Sequence, residues 1–90
     1  MMIVAIQLDD GEVFAALATR ISERIVAVRT ERVIACGERV LIIFANPLAY
    51  DRDMPAAKIP VIEAAAVSDL YGARFGDPLS WQHYRVTGWQ

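Results

Sequence analysis

The 90-residue chain contains a single cysteine, a single histidine and a single lysine. A lone cysteine cannot close an internal disulfide, which excludes a secreted scaffold stapled by bridges. One cysteine and one histidine also fall short of the three or four ligands a zinc site needs. Asp9–Asp10 and the pair Asp51 and Asp53 lack the ligand count and the glycine placement of a calcium loop. Phosphate-binding signatures are missing as well: no G-x-G-x-x-G occurs, and GARFGD at 72–77 has no lysine followed by serine or threonine. Neither a metal nor a cofactor is expected.

Basic charge is also scarce. The formal net charge is −2, without the basic excess that nucleic-acid binding requires, so DNA or RNA is disfavoured as a partner. Five of the eight arginines fall between Arg20 and Arg39, but Glu23, Glu31 and Glu38 interleave with them and cancel most of the field. With fourteen alanines, the arginine bias reads as the coding bias of a GC-rich genome.

Long hydrophobic runs are missing too. The longest uncharged stretch, VLIIFANPLAY, is well short of the ~20 residues a membrane-spanning helix needs, and Pro47 interrupts it. MMIVAIQLDDG carries no basic residue ahead of its apolar run, so it does not read as a signal peptide. The expectation is a soluble, cytoplasmic protein.

What the chain has in plenty is apolar residues, 56% of the total, more than the ~45–50% of an ordinary globular chain. Ninety residues suit one domain, 1–90, and a domain of that size buries only ~60% of the surface its unfolded chain exposes. Even allowing for small alanines, some apolar surface is expected to meet a second subunit.

Along the chain, IVAIQL (3–8) reads as a strand, and the Asp10-Gly11 pair that follows it is a hairpin signal. EVFAALATRISERIVAVRT supports two readings. As a helix it has Asp9 as N-cap and Phe14, Leu17, Ala18, Ile21 and Ile25 on one face, which leads to a ferredoxin-like β-α-β-β-α-β sandwich. As two strands turning at Ser22-Glu23-Arg24 it gives a β-rich fold. The strand reading is preferred because no glycine, asparagine or connection stops a helix before Ile25.

RVIAC and RVLIIFA then read as a hairpin around Gly37-Glu38, with Gly37 at the first position of a type II′ turn and VLIIFA as a strand buried on both faces. NPLAYDRDMPAAKIP reads as an irregular connection. VIEAAAVSDLY (61–71) reads as a helix, alanine-rich, preceded by Pro60 and followed by Gly72. LSWQHYRVTGWQ reads as a final strand, with Trp81, His83 and Arg85 on one face and Gln82, Tyr84 and Val86 on the other. The expected fold is therefore α+β: a mostly antiparallel twisted sheet or small, partly open β-barrel with one helix.

Among residues with chemical potential, Cys36 is the sole thiol, and a thiol enzyme would need it beside His83. Its sequence setting instead suggests a small apolar residue, buried or half-buried. Five of the eight aromatics fall in the last twenty residues. Tyr71, Phe75, Trp81, Tyr84 and Trp89, with Arg74 and Arg85, form the residue mix enriched at interaction hot spots, and they are the expected interaction surface. Together these features suggest a non-enzymatic assembly or adaptor module. It would be a homo-oligomer or a small structural subunit of a larger phage-like or secretion-like particle, and its partner itself or another protein. A small ligand-binding regulatory domain of ferredoxin-like type and a thiol enzyme using Cys36 are the alternatives.

Overall fold

The computed structural model describes residues 2–45, 59–67 and 80–89. Six strands account for most of them: β1 Met2–Leu8, β2 Val13–Ile21, β3 Ile25–Thr30, β4 Arg39–Ile43, β5 Val61–Val67 and β6 Ser80–Trp89. They close into a barrel in the order β1-β2-β3-β6-β5-β4, every neighbouring pair antiparallel. Closure leaves no strand edge to template further pairing.

Each strand turns alternate residues inward. Val4, Ile6 and Leu8 of β1, Ala16 and Ala18 of β2, Val26 and Val28 of β3, Val40 and Ile42 of β4, Ile62, Ala64 and Ala66 of β5 and Tyr84 of β6 form the core. Small residues face large ones across the ladder: Tyr84, fully buried, lies between Val26 and Ala66 in register. A barrel this narrow has room for a tyrosine only where a neighbouring strand contributes alanine.

Two hairpins form as their sequences suggest. Gly11, at φ +90°, completes the β1–β2 turn, with its N–H donating to Leu8 C=O at 2.9 Å. Ser22 organises the β2–β3 turn: its hydroxyl donates to Ile25 C=O at 3.0 Å and accepts from Ile25 N–H at 3.1 Å. Segment 12–24 is thus strand and turn, which removes the ferredoxin-like alternative.

Three expectations are corrected. The helix at 61–71 is not formed over its described part: Val61–Val67 is β5, bonded to β4 on one side and β6 on the other. Alanine's helix preference is a weak local bias, and two flanking ladders plus inward Ile62, Ala64 and Ala66 at period two outweigh it. Residues 68–71 lie outside the described residues, as does the connection at 46–58. The α+β class gives way to an all-β barrel over the described residues, and the barrel is closed rather than partly open.

The third correction concerns RVIAC, which is not a strand. Residues 31–38 cross the end of the barrel as irregular chain, and Ile34 inserts into the core. The turn that follows spans Ala35 to Glu38, closed by Glu38 N–H donating to Ala35 C=O at 3.1 Å. Gly37 occupies its second central position at φ +87°, the geometry of a type II turn rather than type II′.

Candidate functional site

The barrel interior is filled by its own side chains, so recognition must use its two ends and its outer wall. The first end is closed by the 31–38 segment. Gln82, only 1% exposed, accepts from Ile34 N–H through Oε1 and donates to Ile34 C=O through Nε2, both at 2.7 Å. Tyr84 Oη donates to the same Oε1 at 3.2 Å. Thr30, also buried, grips Arg32 in the same manner: its hydroxyl donates to Arg32 C=O and accepts from Arg32 N–H, each at 3.0 Å. Two buried side chains thus replace the ladder partners that 31–35 does not have, satisfying backbone groups that would be costly to bury bare. Outside the barrel, the Arg32 guanidinium pairs with Glu12 and lies over the Phe14 ring at 5.5 Å. The hydrogen bond that the Arg32 guanidinium donates to the Glu12 carboxylate is the main cause that raises the Arg32 pKa.

At the opposite end no segment among the described residues crosses the barrel as 31–38 does, and partly buried Phe44 and Val86 pack against the core. Met2 pairs with Ala18, Ile21 with Val26 and Trp89 with Ile62, all inward-phase positions. All three are exposed, Trp89 at 60%, and Ile25 beside them is exposed as well. This rim is apolar.

The outer wall carries two grooves. One, of about 610 Å³, lies over β4, β5 and β6 and is bordered by Asp9, Arg39, Glu63, Ala65, Arg85 and Thr87. Its floor is Ala65, which pairs with Arg39 on one side and Arg85 on the other. The other, of about 520 Å³, lies over β1, β2 and β3 between Ile3, Phe14, Leu17, Arg29 and Arg32. There the Arg29 guanidinium sits 5.4 Å from the Trp81 ring centre.

Of the expected surface residues, the four that are described stand apart from one another. Trp81 is half-buried under Arg29, Arg85 borders the 610 Å³ groove, and Trp89 stands on the apolar rim. Tyr84 is 0% exposed and belongs to the core, so it offers nothing to a partner. Tyr71, Arg74 and Phe75 lie outside the described residues, as do Asp51, Asp53 and GARFGD. Cys36 is exposed in the Ala35–Glu38 turn and takes no part in a disulfide, contrary to the expectation of burial.

No family model, curated protein or solved structure matches this chain. The geometry alone must suggest its role.

Sequence reasoning missed the rim, the groove and the Gln82 clasp. The clasp had a signal: in SWQHYRV, Gln82 shares the phase of Tyr84 and Val86, and a polar residue at an inward position demands a buried partner. Arg39 and Arg85 had none, because they lie 46 positions apart and meet only through β5. Among the described residues, no group of three or more His, Cys, Asp or Glu side chains is placed to hold a metal ion, and no helix is long and apolar enough to cross a membrane.

Proposed function

We propose that this barrel is a non-enzymatic assembly module that associates with a second copy of itself through the rim of Met2, Ile21, Ile25 and Trp89. One observation carries the reading: these four exposed apolar side chains lie at a single end of the barrel, the end opposite the one that Ile34 plugs. Apolar side chains exposed at this end of the barrel are stabilised by removal from water, at ~25 cal/mol per Å² buried. A second copy offers the same surface across a two-fold axis, the commonest arrangement of homo-oligomers. A formal charge of −2 opposes that approach only weakly. Service as a subunit of a larger particle in the cytoplasm belongs to the same proposal, and an exposed cysteine outside any disulfide suits a reducing compartment.

Sedimentation equilibrium over a wide concentration range tests the reading. The expected result is a concentration-dependent dimer or higher oligomer that dissociates in Trp89→Ser and Ile21→Ser. A monomer at all concentrations, or an oligomer indifferent to both substitutions, overturns it.

A further inference from the structure

The strand order divides the barrel into two halves, each contiguous in sequence. β1, β2 and β3 form one antiparallel meander and β4, β5 and β6 the other, and the two meet at the seams of β1 with β4 and β3 with β6. Residues 31–38 link the halves. β3 and β4 stand three places apart whichever way round the six-strand order is followed, so the link crosses the barrel end along a diameter. Ile34, near its middle, drops into the core.

This link is at odds with its own sequence. Val33 and Ile34 are β-branched and favour a strand, yet 32–35 is irregular chain and Val33 is 57% exposed. Where local preference and fold disagree, the gap to competing arrangements narrows. Gly37 and Glu38 are already laddered to the second half: Gly37 N–H donates to Ala66 C=O at 2.7 Å, and Glu38 C=O accepts from Ala66 N–H at 2.9 Å. The part able to change course is therefore 31–35. Its course over the barrel is held by side chains, and the hold from the second half is the Gln82 clasp on Ile34.

We infer that two copies of this chain join by exchanging halves. β4, β5 and β6 of each complete a barrel on β1, β2 and β3 of the other, and the two 31–35 segments run antiparallel between the barrels as a short ladder. Both seams keep every pairing, because the second copy supplies the identical strand. The exchange gives up the Gln82 clasp and the burial of Ile34, and gains ladder partners for 32–35 and cover for Val33. Extended, residues 31–38 reach about 26 Å, roughly twice the width of a six-strand barrel at ~4.8 Å strand spacing. Both seams must open first, so exchange proceeds through refolding and not through the encounter of closed barrels. It goes beyond the rim contact: Met2, Ile21 and Trp89 each pair within their own half.

The test uses the full chain carrying Cys36→Ala, Gln7→Cys and Leu41→Cys. Positions 7 and 41 face each other across the β1–β4 seam, at a Cα separation that a disulfide spans. The protein is refolded from urea at high concentration, fractionated by gel filtration and oxidised. A closed barrel then bridges within one chain, and an exchanged pair bridges between two. The expected result is a dimer that survives dilution and runs as a covalent dimer on a non-reducing denaturing gel, with Trp89→Ser added as well as without it. Gln82→Ala weakens only the closed form and should raise the ratio of exchanged dimer to monomer at least about tenfold. Val33→Asn lowers the strand preference of the link at an exposed position, leaves the closed barrel intact, and should lower that ratio. Refolding to monomer alone with and without Gln82→Ala, a dimer whose bridges close within single chains, or a ratio indifferent to both substitutions would overturn the inference. Rim association fails separately, by its own indifference to Trp89→Ser.

Discussion

Gln82 holds Ile34 by both of its backbone polar groups, with two hydrogen bonds of 2.7 Å inside the core. A side-chain amide has the donor and acceptor geometry of a peptide unit, so this glutamine acts as a strand partner for a segment that belongs to no strand. Ile34 can then seal the barrel end without leaving its own N–H and C=O bare.

Gln82→Ala should destabilise the fold by about 2–5 kcal/mol, because two buried backbone groups lose their partners and a cavity opens. Gln82→Leu fills the volume but leaves the same groups unsatisfied, so it should rescue only part of the loss. Urea denaturation of the three proteins measures this. A Leu variant as stable as the parent would mean that the clasp contributes nothing net.

Gly37→Val should cost about 1–3 kcal/mol, and Cys36→Ala less than about 1. Apart from its own chain neighbours, nothing lies within 4 Å of the position a β-carbon would take at Gly37, so the cost comes from its φ of +87° rather than from a clash. Exposed Cys36 has little packing to lose. Thermal melts showing equal or reversed effects would remove Gly37's backbone angle as the determinant of this turn.

The Tyr84 hydroxyl is raised well above its ordinary value of 10.0, first by burial and then by the charge of Glu38, with Arg32 opposing. Folding therefore favours the protonated phenol. The sign follows: this stability is fully present below about pH 10, where the unfolded chain is also protonated. It is lost as pH rises from there toward the folded value, because the unfolded state releases the proton first. Tyr84→Phe should lose a little stability at pH 7, about 0.5–1.5 kcal/mol, and show a shallower decline above pH 10. Denaturation midpoints from pH 7 to 11 compare the two slopes, and identical slopes would remove Tyr84 as the cause.

Ala66→Leu should destabilise by about 1–3 kcal/mol, since Ala66 faces Tyr84 across the ladder in a filled interior. Ala15→Leu, on the exposed outer face of β2, should change stability by less than about 0.5 kcal/mol. Calorimetry showing equal tolerance at both sites would mean that the core is loosely packed.

Local chemistry made the first thirty residues legible. Asp10-Gly11 and Ser22 determine their turns through a positive φ and a hydroxyl that hydrogen-bonds nearby backbone, and both act within a few residues. The alternation in SWQHYRV likewise sorts Trp81 and His83 from Gln82 and Tyr84, because side-chain direction in a strand is a matter of parity. The same pattern did not show that Tyr84 would be inaccessible, which depends on Ala66 and Val26 arriving beside it.

Sequence by itself determined the turns at Asp10-Gly11 and Ser22, the inward and outward faces of the last strand, and the poverty of metal-binding and nucleophilic residue types. Tertiary structure alone decided that VIEAAAV is a strand, that VIAC caps a barrel end, and that Arg39 and Arg85 share a groove. The physical reason is range. Turns and side-chain parity depend on a few adjacent dihedrals. The state of an alanine-rich segment, the partner of a buried glutamine and the meeting of two arginines depend on which distant strands pair, and only closure of the barrel sets that.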